Sequence, residues 1–376
     1  MPRRCPAPVS PFMRTITVFD DSDPLCLVSG TKLAPVTVGY ETYGALDGDR
    51  SNAVFICHAL TGDSHPAAHA PGDCPGWWER MVGPGKPVDT DRFFVVCANV
   101  LGGCAGTTGP WSTGPTGCTF GTDFPQVDIA DLVATHRGLL ARLGITRLRA
   151  VLGGSLGAMQ VLEWLLSAPD DAKSFLVIAG SARQSADNLA WNAVARAAIR
   201  SDARFLGGRY APGAGPSSGL GLARMIGHLT YVSEELLEQK FGRQLRSSGR
   251  SDQPAIIGPF AVESYLEYQA TKLVDRFDAN SYLYLSSAMD RFDAFADGRL
   301  PALSRSWPQV HLFSFESDRL FGRSHSQFIQ ARLAAAGRPA QHHHDTTATA
   351  GHDAFLLGVA PYLRAVDQVL SSSADS

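Results

Sequence analysis

A serine in a glycine-rich turn has the sequence context of a catalytic nucleophile. Ser155 is the central residue of Gly153-Gly154-Ser155-Leu156-Gly157, which fits the pattern G-x-S-x-G. An apolar run precedes the turn and a helical pattern follows it, as in the nucleophile elbow of a strand–turn–helix unit. Small residues allow strand and helix to approach closely, and strain in the turn exposes the hydroxyl. We interpret Ser155 as a nucleophile, with an ordinary strand–helix turn as the alternative.

A serine hydroxyl needs a base to take its proton, and the base needs an acid to orient it. In α/β-hydrolase folds these groups follow the serine in the order acid, then histidine. Asp318 comes just after an apolar strand pattern, and His352 lies in a loop that opens the last predicted helix. Both positions fit the triad. Glu316 competes for the acid role, and a turn aspartate and a surface histidine are the structural alternatives.

Other histidines are further candidates. His58 and His65 flank a loop after a predicted strand, and the position of His58 favours support of an oxyanion loop. The amides of Leu60 and Leu156 are then the predicted oxyanion donors. The tract 342–344 consists of three histidines, but such a tract in a loop without spaced partners is more often solvated than metal-bound. We predict no metal site.

The elements that must position these residues alternate between strand and helix. Segments 15–18 and 32–43 alternate apolar and polar residues, as antiparallel strands do. Strand and helix patterns then alternate, which predicts a mostly parallel sheet with right-handed crossovers. The fold class is therefore α/β, an α/β-hydrolase fold. The apolar runs lie at 53–57, 92–98, 148–152, 175–180 and 309–315, and the flanking helical patterns at 128–143, 324–336 and 354–370.

Residues 185–296 break this alternation. Helical patterns at 188–199, 219–231, 234–241 and 262–277 follow one another without a strand between them, and the polar stretch 242–258 is predicted to be mobile. We interpret 185–296 as a helical lid inserted into a core made of 14–184 and 297–376. The proline-interrupted residues 1–13 are predicted to form a disordered leader.

Composition limits the class of partner. The 376 residues carry a net charge of −3, which provides no field for nucleic acid or an acidic membrane, so we expect a small-molecule partner. Seven cysteines, all in the first third and without a C-x-x-C pair, favour reduced thiols and a cytoplasmic protein. No apolar run is long enough for a signal peptide or a membrane span.

A series of ordered motifs adds a family resemblance. The chain resembles the homoserine O-acetyltransferase family of the α/β-hydrolase superfamily over nearly all of its length past residue 14. The motifs are H-A-L-T-G-D (58–63), G-W-W (76–78), G-P-G-K (83–86), N-V-L-G-G-C (99–104), G-T-T-G-P (106–110), D-F-P (123–125), G-G-S (153–155), M-Q (159–160), A-R-M-I-G-H-L-T-Y (223–231), R-F-D-A-N-S-Y (276–282) and G-H-D (351–353).

The resemblance implies a ping-pong acyl transfer. Ser155 would attack the thioester of acetyl-CoA, with His352 as base and Asp318 holding His352. After CoA leaves, the hydroxyl of an amino acid would attack the acyl-enzyme. The resemblance implies acetyl-CoA as co-substrate and no bound cofactor.

The resemblance also implies the residues that recognise the amino acid. Arg224 would pair with the substrate carboxylate and Asp353 with its amine, and Tyr231 is similar to a family residue near the active site. The resemblance further implies a homodimer that forms through the lid helices.

Some departures from the family pattern affect substrate choice. Leu156 and Ala158 stand where relatives carry Met and Gly, Ala193 where Glu is common, and Arg319 where many have Trp. The acceptor stays open between L-homoserine, as in methionine biosynthesis, and L-serine, for cysteine or a specialised product. The donor stays open between acetyl-CoA and succinyl-CoA. A serine esterase and a binding protein on an inactive hydrolase fold are alternatives of other classes, and the Arg224–Asp353 pair argues against the esterase.

Overall fold

An eight-stranded sheet forms the centre of the molecule, with the order β1-β4-β8-β5-β9-β10-β11-β12. The computed structural model describes residues 10–114, 117–246 and 260–372. Two small ladders, β2 with β3 and β6 with β7, lie outside the large sheet. The strands are β1 (Arg14–Phe19), β2 (Leu25–Cys26), β3 (Lys32–Leu33), β4 (Val36–Tyr43), β5 (Ala53–Cys57), β6 (Val82–Gly83), β7 (Val88–Asp89), β8 (Phe94–Ala98), β9 (Leu148–Gly154), β10 (Ala172–Ile178), β11 (Gln309–Phe315) and β12 (Gln341–Asp345).

The direction of the strands confirms the predicted α/β class. β4 runs antiparallel to β1 and β8, and the remaining neighbours in the large sheet are parallel. The central strands β5 and β9 are buried along their whole length. Continuous apolar runs are required there because helices cover both faces of the sheet.

Two groups of buried side chains pack on the two faces. Phe55 of β5 belongs to the first group and contacts Trp164 edge-on, with ring centroids 5.3 Å apart. Its neighbours Val54 and Ile56 point to the other face and belong to the second group, together with Trp78. Alternation along one strand thus serves both cores. The helices are α1 (Ile129–Arg142), α2 (Leu156–Ser167), α3 (Ala186–Ser201), α4 (Ser217–Tyr231), α5 (Glu234–Phe241), α6 (Ala261–Val274), α7 (Ala279–Arg291), α8 (Arg323–Ala335) and α9 (Ala360–Ser372).

Helices α3 to α7 occupy the chain between β10 and β11. We call α3–α7 and their connections the helical insertion. The sequence patterns predicted α3, α4, α5 and α6 but not α7, whose first four residues are the end of the R-F-D-A-N-S-Y motif. The side chain of Asp278 caps α7 by accepting a hydrogen bond from the amide of Ser281 at 2.8 Å. The predicted boundaries of core and lid stay a prediction, and most of 242–258 lies outside the described residues.

Three local predictions were wrong. The histidine tract is not in a loop: residues 341–345 form β12, since β11 offers a free edge with which they pair in parallel. Residues 10–13 are not disordered, because Phe12 stacks on His69 with ring centroids 4.2 Å apart, whereas 1–9 lie outside the described residues. The last predicted helix is interrupted: residues 351–356 form a 3₁₀ turn before α9.

Two further observations concern the cysteines and the helices of the described residues. Six cysteines lie in the described ranges, and they are free thiols, as expected. No helix in these ranges is both long and apolar enough to cross a membrane.

Candidate active site

Ser155 sits in a strained turn between β9 and α2. Its φ of 60° and ψ of −122° are rarely adopted by a residue with a side chain. Glycines make the turn possible, because a Cβ on Gly153 would lie 2.6 Å from the carbonyl oxygen of Cys57, and a Cβ on Gly157 would overlap the same carbonyl. The structure therefore places Ser155 in the elbow geometry that the pattern predicted.

Asp318 and His352 form a buried pair. Nδ1 of His352 lies 2.8 Å from Oδ2 of Asp318. The other oxygen of Asp318 accepts hydrogen bonds from the amides of Leu320 and Phe321 at 2.8 and 2.9 Å. Burial lowers the pKa of His352, but the charge and hydrogen bond of Asp318 outweigh it, so the net pKa is raised. Burial likewise raises the pKa of Asp318, and His352 with the two amides lowers it overall.

The rival acid is occupied elsewhere. Oε2 of Glu316 lies 2.7 Å from Nε2 of His344, and 63% of the Glu316 side chain is exposed. The structure thus brings Asp318, and not Glu316, to His352. This contact agrees with the choice of Asp318 over Glu316 that was made from the sequence.

The second ring nitrogen of His352 is available to act as a base. Its Nε2 atom is buried and has no hydrogen-bond partner among the described residues. In particular, Nε2 forms no hydrogen bond with Ser155 Oγ. Such contacts are often long before substrate binds, so the arrangement is compatible with a triad.

The two predicted oxyanion amides lie near the nucleophile. Leu60 lines the same cavity as Ser155. Leu156 is the first residue of α2, so its N–H has no acceptor within the helix. His58 supports the loop that carries Leu60: its Nδ1 lies 2.7 Å from the Ala59 carbonyl, and its Nε2 accepts from the Val100 amide at 3.0 Å. These bonds occupy both ring nitrogens, which agrees with a structural role for His58.

The predicted substrate-binding residues lie near His352. Nη1 of Arg224 donates to Thr61 Oγ1 at 3.2 Å, and its buried Nε has no partner among the described residues. The guanidinium carbon lies 5.9 Å from the Tyr231 ring, and that ring lies 6.0 Å from the His352 ring. Burial raises the pKa of Asp353, while the charges of His352 and Arg224 lower it in part. A cation and a carboxyl group therefore stand beside the triad.

A narrow cavity leads to Ser155 from the helical insertion. Its volume is about 30 Å³. Asn188 and Asn192 line it from one face of α3, where they are four residues apart, and Gln184 lines it from the segment before α3. Oε1 of Gln184 is buried without a described partner. These residues were not singled out from the sequence, where the spacing of the two asparagines in a predicted helix was the available signal. The other lining residues are Leu60, Ser155, Trp191, Ala195, Ile226, Gly227, Thr230, Tyr231, Tyr282, Met289, Leu320 and Phe321.

A second buried polar cluster holds the loop that follows Leu60. Oε2 of Glu41 lies 2.8 Å from His65 Nδ1 and 2.7 Å from His69 Nε2, and it accepts from the Tyr43 hydroxyl at 3.0 Å. His65 Nε2 lies 2.8 Å from the Cys74 carbonyl. Both nitrogens of His65 face acceptors, so the ring is an imidazolium, and the Glu41 bond raises its pKa to about 9.

These three groups are the kind that could bind a metal. The ligating atoms of Glu41, His65 and His69 lie within 4.8 Å of one another. The hydrogen bonds to Glu41 already account for this convergence, and nothing in the geometry requires an ion. The histidines of β12 bind side chains instead: His342 and His344 contact Ser314 at 2.8 Å. The absence of a metal site stays a prediction.

Comparison with known proteins fits this geometry. The α/β-hydrolase fold family matches residues 52–359. A homoserine O-succinyltransferase from Nocardioides sp. is 48% identical over 347 residues, which cover 91% of this chain and 93% of that protein. The chain belongs to the homoserine O-acyltransferase family. A homoserine O-acetyltransferase from Rhodopseudomonas palustris is 45% identical over 366 residues, covering 95% of this chain and 90% of that protein.

Solved structures agree on the fold. The crystal structure of homoserine O-acetyltransferase from Bacillus anthracis has a TM-score of 0.83 and 26% identity, covering 95% of this chain and 97% of that one. Esterase E22 has a TM-score of 0.82 and 26% identity, covering 95% of this chain and 99% of that one. Acyltransferases and an esterase thus share this architecture, and the family alone does not select the donor.

Proposed function

We propose that this protein transfers an acetyl group from acetyl-CoA to the side-chain hydroxyl of L-homoserine. The observation that carries the proposal is the charge pair Arg224 and Asp353 beside the candidate triad. An amino acid presents a carboxylate and an ammonium group, and the pair complements both. A simple ester needs neither partner.

The candidate triad supports a two-step transfer through an acyl-enzyme. In the first step His352 Nε2 takes the Ser155 proton while Oγ attacks the thioester carbonyl. The amides of Leu60 and Leu156 would stabilise the oxyanion, and His352 returns the proton to the departing CoA thiolate. In the second step the acceptor hydroxyl gives its proton to His352 and attacks the acyl-serine, and His352 returns that proton to Ser155 Oγ as the acyl–Oγ bond breaks. Asp318 keeps the His352 proton on Nδ1, so that Nε2 stays available.

The size and lining of the cavity support acetyl as the acyl group. The cavity has a volume of about 30 Å³, and a water needs at least about 10–15 Å³, so the space suits a methyl group. A succinyl group has a longer chain that ends in a carboxylate. No Lys, Arg or His is among the described residues that line this cavity. A buried carboxylate without a cation would be costly.

L-serine is the alternative acceptor. It is one methylene shorter than homoserine, and such a difference is worth about 1–3 kcal/mol in a pocket. Succinyl-CoA is the alternative donor, since close relatives include succinyltransferases. Esterase activity is favoured by the similarity to esterase E22, and water would then replace the amino acid in the second step.

We also propose that two copies associate through the helical insertion. Apolar side chains are exposed on α3 and α4, among them Val194 (53%) and Leu222 (51%). Light scattering after size exclusion would give twice the monomer mass for wild type, and Leu222→Glu would lower it. A monomeric wild type would contradict the proposal. The cytoplasmic location and the absence of nucleic-acid and membrane partners stay predictions.

Thiol release measured with purified protein tests the reaction. Acetyl-CoA and succinyl-CoA would each be offered with L-homoserine, with L-serine and without an amino acid. We expect release with acetyl-CoA to depend on homoserine and to disappear in Ser155→Ala. Release at an equal rate without an amino acid would support the esterase instead. Release only with succinyl-CoA or only with serine would select the corresponding alternative.

A further inference from the structure

Arg276 lies in the connection between α6 and α7, next to the loop that carries Leu60. Its Nη1 atom is 4.0 Å from Oδ2 of Asp63, too far for a hydrogen bond. The guanidinium forms no hydrogen bond with any residue in the described ranges, and its side chain is only 32% exposed. Arginine carries several N–H donors, so a partly buried guanidinium in this state favours an incoming acceptor.

The backbone of Arg276 is held in place while the side chain remains unsatisfied. Its amide donates to the Leu273 carbonyl at 3.0 Å, and its carbonyl faces Cys104 Sγ at 3.9 Å. Asp63 is anchored as well, because its Oδ1 accepts from the amide of His65 at 3.0 Å. The guanidinium is therefore positioned by its surroundings before any ligand arrives.

Arg276 and Arg224 flank one short segment. Arg224 contacts Thr61 at 3.2 Å and Arg276 faces Asp63, two residues further along. Two residues span at most about 7 Å of chain. The segment directly follows Leu60, a predicted oxyanion donor, so both cations lie beside the reacting centre. Burial lowers the pKa of Arg276, and the Arg224 charge lowers it further despite Asp63.

We propose that Arg276 is a second carboxylate-binding residue of the acyl-transfer site, acting beside Arg224. The inference rests on the proposed function. Two carboxylates have the required chemistry: the α-carboxylate of the acceptor and the terminal carboxylate of a succinyl donor. Arg276 does not line the Ser155 cavity, where the acyl group is expected. We therefore expect the α-carboxylate to be its ligand.

Arg276→Gln tests the proposal in steady-state assays with L-homoserine and its carboxamide. Hydrogen bonds to charged groups contribute about 1.5–3 kcal/mol, which corresponds to about 10–150-fold in affinity. We expect KM for homoserine to rise by at least about tenfold, with kcat nearly unchanged. The preference of wild type for homoserine over the carboxamide should shrink by the same factor. Arg276→Lys keeps the charge opposite Asp63 and should lose less.

Arg209→Gln is a matched control. Arg209 also lies in the helical insertion and faces an aspartate, with Nη2 3.1 Å from Asp123 Oδ1, but 72% of its side chain is exposed. Its KM values should match those of wild type. Circular dichroism and thermal unfolding would verify that the variants are folded, and Arg276→Lys provides the measurement if Arg276→Gln does not fold.

The outcomes separate the sources of the carboxylate. A raised KM for succinyl-CoA with an unchanged KM for homoserine would keep Arg276 as a carboxylate ligand and assign it to the donor. Unchanged KM values for both substrates in the Arg276 variants would overturn the proposal. Failure of the proposed function is a different result, since wild type itself would then show no amino-acid-dependent thiol release.

Discussion

Replacement of Asp318 by asparagine tests how His352 is oriented while changing packing very little. Asparagine has the shape of aspartate, and its carbonyl oxygen can still accept from the amides of Leu320 and Phe321. Its amide nitrogen would take the place of Oδ2, which lies 2.8 Å from His352 Nδ1. Two N–H groups cannot face each other, so the His352 proton must move to Nε2. The nitrogen that should accept the Ser155 proton would then be blocked.

The size of the effect follows from this change of tautomer. The same substitution in the serine-protease triad lowers kcat about 10⁴-fold. At about 1.36 kcal/mol per factor of ten, this is about 5.5 kcal/mol of lost transition-state stabilisation. We expect a fall of about 10³–10⁴-fold here, because the pair is buried and no other acid contacts His352 Nδ1 in the described part of the chain.

The pH profile gives a second reading of the same variant. The base must be neutral, so wild-type activity should rise as pH increases through the pKa of His352. Asp318 raises that pKa above its ordinary value against the effect of burial. Loss of the carboxylate charge should therefore move the rising limb of the residual activity to lower pH.

Glu316→Gln is the matched control for the thiol-release assay. Its carboxylate pairs with His344 and is mostly exposed, and exposed pairs contribute about 0–1 kcal/mol to stability. Its kcat should stay within about twofold of wild type, since the group lies outside the triad. Activity of Asp318→Asn within tenfold of wild type, with unfolding temperatures alike, would refute the reasoning. A larger loss in Glu316→Gln than in Asp318→Asn would also refute it.

Three other changes have expected outcomes. Glu41→Gln should lower the free energy of unfolding by up to about 3 kcal/mol, mainly at pH values below the ordinary pKa of His65, because the Glu41–His65 pair loses its contribution as pH rises through the raised pKa of about 9. Urea unfolding at about pH 6 and about pH 10 would measure this loss, and equal losses at the two pH values would contradict the expectation. Gly157→Ala should abolish folding or activity, since its Cβ would overlap the Cys57 carbonyl; soluble, fully active protein would argue against the tight elbow. Arg224→Lys should raise KM for homoserine by about tenfold or more, because lysine lacks the planar fork that pairs with a carboxylate; an unchanged KM would assign the carboxylate elsewhere.

Much of the fold could be predicted because the signals are local. β11 was predicted at its observed limits, 309–315, since a continuous apolar run marks a strand buried on both faces. β12 was missed because its residues are polar and it forms only by pairing with the edge of β11. Helix α7 was also missed, because its sequence mixes polar and apolar residues. The burial of Tyr282 and Leu285 results from the packing of the helix.

In the candidate site, too, the features with a local sequence signal could be predicted. The sequence by itself determined the nucleophile turn, because G-x-S-x-G with a strand before it and a helix after it specifies a local backbone geometry. It also determined the chain order of acid and histidine and the family motifs. The oxyanion amides were inferred from that turn for Leu156 and from the loop after His58 for Leu60, and both stay a prediction.

Only the tertiary structure decided which groups meet. Asp318 was chosen from the sequence with Glu316 as its rival, and the turn after β11 brings Asp318 to His352 and leaves Glu316 mostly in solvent. The Glu41–His65–His69 cluster and the pair of Arg276 with Asp63 join residues far apart in the chain. Contacts of this kind depend on how strands and helices pack, and no local pattern of residues encodes them.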